Sequence, residues 1–185
     1  MTGVQTCALP ICALTSDYSY VGCKGGAGGI RRVLITEYAN VNKTTTVIAS
    51  GVITTLGMVT TKEFREYLLD KEMGMFTDNM AQTLANGTIV YTPVIDFTVK
   101  GLTTALIQEL KLVSQNTLMM IVEDETGAYW MFGYGRGMDL LTASKESGTA
   151  LGDFRGQKLH FEGKESEPIY GVSSSIITAL LSPAA

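Results

Sequence analysis

Between Leu118 and Phe132 the chain alternates apolar side chains on both faces of what reads as a β-hairpin. Leu118, Met120 and Val122 point one way, Met119 and Ile121 the other. After a short turn, Trp130 and Phe132 alternate with Tyr129 and Met131. A hairpin on the outside of a soluble monomer is apolar on one face only. This one needs a core on one side and a second cover on the other, and the expected second cover is a neighbouring copy of the same chain. Asp124-Glu125-Thr126-Gly127 fits a type I turn followed by glycine in the left-handed region. Gly133, Gly135 and Gly137 then recur at every second residue, a spacing that permits close backbone approach or a sharp bend.

The same alternation predicts most of the other elements. Ile30 to Tyr38 reads as a strand with Val33 and Ile35 on one face. Thr44–Ala49 and Val52–Thr60 are β-branched runs split by Ser50-Gly51, which predicts a hairpin. Lys62 to Asp70 fits both a capped helix and a strand through Phe64, Glu66 and Leu68, with the strand favoured. Ala85-Asn86-Gly87 is a turn. Thr88 to Lys100 gives the longest alternation, Ile89, Tyr91, Ile95, Phe97 and Val99 opposing Thr88, Thr92, Asp96, Thr98 and Lys100. Pro93 inside it cannot donate to a ladder, so a bulge or a partial edge is expected there. Leu102, Leu106, Leu110 and Val113 form one apolar stripe, predicting a helix over about 102–115 capped by Thr103 or Thr104 and closed by Asn116. Ser147 to Asp153 is a turn region. Arg155 to Lys164 is a half-buried strand with Leu159 and Phe161 inside, and Ser174 to Leu181 is expected to be the last strand. The fold class is therefore mainly β, a sandwich or barrel-like domain with one flanking amphipathic helix.

Composition narrows this picture. The chain has 185 residues, of which 45% are hydrophobic and 17% charged, with 20 glycines and a net charge of −4. That size supports one domain without disulfide or metal staples, and the mix favours strands and turns. The acidic balance excludes a broad electrostatic footprint for nucleic acid. No apolar run reaches the length of a membrane span. Residues 2–11, TGVQTCALPI, match the in-frame translation of a common sequencing adapter, so residues 1–11 are read as an assembly artefact and set aside. Cys7 goes with them, and Cys12 and Cys23 make no disulfide framework. Residues 12–29 read as a flexible glycine-rich arm, 30–181 as a single β-rich domain and 182–185 as a tail.

Candidate chemistry is thin. His160 is the only histidine and lies on the polar face of its strand between Lys158 and Glu162, as a solvated residue would. A serine or cysteine nucleophile would lack its usual activator. Glu123-Asp124-Glu125 is expected at a hairpin tip as soluble turn residues, with a weak calcium site as the sharper reading. Glu162, Glu165 and Glu167 form a second acidic group. Arg31-Arg32 reads as a strand-edge or subunit contact. Neither Gly22–Gly29 nor Gly133–Gly137 has the strand–loop–helix context of a phosphate loop. No catalytic, cofactor or metal site is predicted, and the chain is not expected to be an enzyme.

The order of elements, with IVEDETGAYWMFGYGRGMDL and SGTALGDFRGQKLHFEGKESEP following one amphipathic helix, resembles structural virion proteins of tailed phages. It is most similar to tail-tube-like proteins of phages infecting gut Bacteroidetes, over about Gly25 to Tyr170. The D-x-x-G-x-Y-W-x-x-G and G-D-x-x-G-x-x-L-x-F-x-G patterns carry the resemblance, as patterns of turns and packing. It implies a subunit made in the bacterial host's cytoplasm and incorporated in the virion. The partners implied are copies of itself in a ring, with six as the expected number, other virion proteins, and DNA that passes without sequence-specific binding. A head-decoration or head–tail connector subunit is the alternative within this class. A carbohydrate-binding β-sandwich presenting Tyr129, Trp130 and Tyr134 on a flat face is the alternative outside it.

Overall fold

A computed structural model describes residues 27–182. The adapter match, the cysteines and most of the proposed arm and tail lie outside the described residues. Eleven strands and two helices follow in order: β1 (Ile30–Glu37), β2 (Val41–Ala49), β3 (Val52–Met58), β4 (Arg65–Leu68), β5 (Gly74–Thr83), β6 (Thr88–Lys100), α1 (Thr104–Val113), β7 (Leu118–Asp124), β8 (Tyr129–Phe132), β9 (Met138–Glu146), β10 (Gly156–Gly163), β11 (Tyr170–Val172) and α2 (Ser174–Leu180). The chain is mainly β and sandwich-like with α1 on its flank, as the alternation predicts, and with a second helix, α2, that the alternation does not predict. The sheet path runs β2-β3-β11-β8-β7-β9-β10-β6-β5, and β1 pairs with β7 and with β4.

The two-sided hairpin is the centre of the molecule. On one side Met120 and Val122 of β7 and Phe132 of β8 join Val33 and Ile35 of β1, Ile95 and Phe97 of β6, Leu159 and Phe161 of β10, and Leu110 and Val113 of α1. On the other side Met119, Ile121 and Met131 meet Leu34 of β1, Ile53 and Leu56 of β3, Phe64, Val172 of β11, and Ile177 and Leu180 of α2. The layer β4-β1-β7-β8 thus has a separate core on each face. This corrects the expectation that a neighbouring copy covers the second face. Met119 and Ile121 are 0% exposed and Met131 1% within the single chain, each burial contributing about 1.5–3 kcal/mol.

Local chemistry explains the connections. Ser50 and Gly51 both have positive φ, 50° and 77°, as a two-residue primed turn requires. At the β7–β8 turn Gly127 has φ 85°, and its N–H donates to Asp124 O at 3.0 Å. Thr103 caps α1, its hydroxyl accepting from Leu106 N–H at 3.2 Å, and Asn116 Nδ2 donates to Leu112 O at 2.9 Å. Within the ambiguous 62–70 segment Arg65–Leu68 forms strand β4, pairing antiparallel with β1. Pro93 keeps its register opposite Asp78 on β5, but the continuous ladder with β10 stops at Val94. Pairing on that side resumes only as an isolated bridge between Tyr91 and Glu165. The edge-like break expected of proline is therefore confined to one side of β6.

One predicted strand is wrong. Ser174–Leu180 is helical, with Ile177 and Leu180 one turn apart on its buried stripe, while the last strand is the shorter β11 just before it. Strands β5 and β9 are additional to those read from the alternation.

Candidate functional site

The residues singled out for chemistry are mostly absorbed by structure. His160 is half-exposed and paired: its Nδ1 lies 2.6 Å from Asp96 Oδ1 on the adjacent strand. Glu123 is not a solvated turn residue. It is 6% exposed and bonds to the Arg32 guanidinium, which also reaches Glu66 at 2.6 Å and the Tyr129 hydroxyl at 2.6 Å. Burial alone would lower the Arg32 pKa. Its bonds to Glu66, Tyr129 and Glu123 outweigh that and hold it above the ordinary arginine value. Arg32 is thus an internal clamp over β1, β4, β7 and β8, whereas the exposed Arg31 reaches Glu123 only at 3.6 Å.

Asp124 organises the hairpin tip. Its Oδ1 accepts from Thr126 N–H at 2.8 Å and Ala128 N–H at 3.0 Å, and its Oδ2 accepts from Trp130 Nε1 at 3.0 Å. Burial pushes its pKa up, but these bonds prevail and the net shift is downward. Of the second acidic group, Glu165 is buried. It accepts from Arg136 N–H at 2.8 Å and Gly137 N–H at 3.3 Å. The 133–137 loop folds around this carboxylate so tightly that a Cβ on Gly135 would collide with it. The alternate glycines therefore serve a bend around a buried acid.

Tyr129 packs on the second core and Trp130 on the first, so Tyr129, Trp130 and Tyr134 do not form one flat aromatic face. Tyr134 instead meets Tyr170 edge-on at 5.6 Å. Among the described residues, no group of three or more His, Cys, Asp or Glu is arranged to hold a metal ion, and no helix is long and apolar enough to cross a membrane.

What remains open is the end of the sheet. Among the described residues β5 pairs only with β6, and the hairpin they form extends beyond the core. Phe76 meets Phe132 at 5.3 Å between ring centres, whereas further along the same hairpin Met80 is 58% exposed and Leu84 85%. Ile89 and Val90 are also exposed. The bond from Thr98 N–H to Met73 O fixes the phase of the ladder. Antiparallel alternation then turns the main-chain groups of Phe76, Asp78, Met80 and Gln82 away from β6. Natural edges are usually blunted by shortness, bulges, lysine or proline. β4 is short and charged, and β2 at the far end of the sheet carries Lys43 and an irregular register. β5 has ten residues, no lysine, arginine or proline, and an unbroken register. Its one charge, Asp78, turns inward, where Oδ2 accepts from Ile169 N–H at 3.1 Å and Oδ1 is buried without a partner among the described residues.

The sequence reading missed this edge. The signal was present: a ten-residue stretch without cationic gatekeepers, followed by an Asn-Gly turn and the longest strand. No protein-family model matches the chain, and no curated protein or solved structure matches it.

Proposed function

We propose that the protein is a self-assembling structural subunit of a tailed-phage virion, of the tail-tube kind, with ring closure through the open edge of β5. The observation that carries this reading is the unblunted edge together with the exposed apolar residues of its hairpin. Pairing that edge with a neighbour satisfies the outward main-chain groups of Phe76, Asp78, Met80 and Gln82 and covers Met80. The far end of the sheet offers a different surface, with Val47, Ile48 and Val52 exposed. Unlike surfaces meeting head to tail close into rings when the rotation allows it. The net charge of −4 suits a channel through which DNA moves without being held.

Native mass measurement and negative-stain imaging of purified protein test the proposal. Rings, six-fold by expectation, or stacked tubes are the predicted result. A strictly monomeric protein at high concentration sinks it.

A further inference from the structure

A groove of about 910 Å³ lies between α1 on one side and β4 with the end of β1 on the other. None of the roles assigned above uses it. Its floor is apolar, formed by Ile35, Phe64, Val113 and Leu118, all buried members of the two cores. Its rim is acidic. Glu37, Glu63, Glu66 and Glu109 line it against Lys62 and Arg65. Two of the four carboxylates are already matched, Glu63 by Arg65 at 2.6 Å and Glu66 by Arg32 at 2.6 Å. Glu37 and Glu109 have no ion pair among the described residues and are exposed.

The wall formed by β4 is a sheet edge. The bond from Leu69 N–H to Arg31 O sets its phase, so the main chain of Glu66 and Leu68 faces away from β1. Just before this edge, Phe64 N–H donates to Leu180 O at 2.9 Å, which leaves the outward groups of Glu66 and Leu68 as the part of the edge open to a partner. Tyr67 stands between floor and rim. Burial raises its pKa, and the charge of Glu109 raises it further.

We infer that this groove binds an extended peptide segment of a partner protein, with an apolar residue seated on the floor between lysine or arginine side chains that meet Glu37 and Glu109. Pockets of this size enclose most of a bound segment. An edge strand supplies main-chain bonds while the flanking pockets supply selectivity. Leu84, an exposed apolar tip of this chain, lies in a stretch without a cationic neighbour, and the tip at Leu151 has Asp153 between it and Arg155, so charge complementarity favours a different protein over a second copy.

Fluorescence anisotropy with three labelled nine-residue peptides tests this. One alternates lysine with leucine, one replaces lysine by glutamine, and one replaces it by glutamate. The lysine peptide is expected to bind saturably and to weaken as salt rises, with the other two at least tenfold weaker. Glu37→Lys and Glu109→Lys are each expected to lower its affinity several-fold, with circular dichroism confirming an unchanged fold. Glu72→Lys, beside a separate hollow near Met75 and His160, is expected to leave it unchanged. Equal binding of all three peptides, no binding of any, insensitivity to both groove variants, or displacement of the peptide by equimolar spermidine would each overturn the inference.

Discussion

Asp124 shows how much one side chain sets. Its carboxylate ties the turn to Thr126 and Ala128 and holds the Trp130 indole, so it fixes both the register of β7 on β8 and the pose of the largest side chain at that end. Its pKa is depressed in the folded protein against about 3.9 when unfolded. The associated stability is therefore present above about pH 4 and is lost as pH falls through the lower folded value. Asp124→Asn is expected to cost about 1 kcal/mol at pH 7, discounted for the exposed part of the carboxylate. Urea unfolding at pH 7 and pH 3 checks this, and the gap from the parent should narrow at the lower pH. Trp130 packs against the first core while remaining partly exposed. Trp130→Ala should thus sit near the lower end of the usual range, about 3 kcal/mol, and a variant unfolding at the parent's urea midpoint would refute the role. Glu123 and Glu165 were legible as acids but not as buried ones. Their partners, Arg32 and the 133–137 backbone, lie far away in sequence, and no local pattern announces such a meeting.

At the scale of elements, legibility follows period and propensity. β1, β6, β7 and β10 carry apolar residues at alternate positions, and each appears close to where the alternation places it. β5 and β9 carry Gly, Asp, Asn, Ala, Ser and Lys in their runs, residues poor in intrinsic strand preference. They are strands because β6 and β10 offer them ladders. α2 misled for the opposite reason. Its two isoleucines favour a strand locally, yet Ile176, Ile177, Leu180 and Leu181 are spaced for one face of a helix, and that face fits the second core. Ile177→Ala is accordingly expected to cost about 2–4 kcal/mol, measured by denaturant unfolding. The edge of β5 permits a paired test. Met80 N–H points outward, so Met80→Pro should leave the fold intact and block strand addition. Asn79 N–H points into the ladder with β6, so Asn79→Pro should destabilise the hairpin itself. Light scattering and circular dichroism on the two variants separate these outcomes, and assembly by a folded Met80→Pro protein would remove β5 as the interface.

For the whole molecule, the informative distinction is between surfaces the chain covers itself and surfaces it leaves open. The apolar hairpin, the strongest sequence clue to a partner, is satisfied within the chain. The open surfaces, β5 with its hairpin and the acidic groove beside α1, carry weaker sequence signals because exposure is a property of the assembled fold. If β5 forms the ring contact, it should be dominated by main-chain bonds and apolar cover, since its stretch holds one charge. Assembly should then persist at high salt, whereas peptide binding in the groove should fade there. Sedimentation across a salt series separates the two.

The double-sided central layer also dictates a timetable. β1 is among the first described segments to be synthesised, but its partner β7 follows much later: Arg32 and Glu123, which clamp the two together, are 91 positions apart. Of the described elements, the helix that closes the second core is made last. Until Ile177 and Leu180 arrive, Met119, Ile121 and Met131 lack their final cover, so the nascent chain carries a sticky, half-sealed sheet until α2 has emerged. Folding dominated by such distant pairings is slow and prone to aggregation. Emergence of α2, rather than any shorter length, is the step at which the second core can first close.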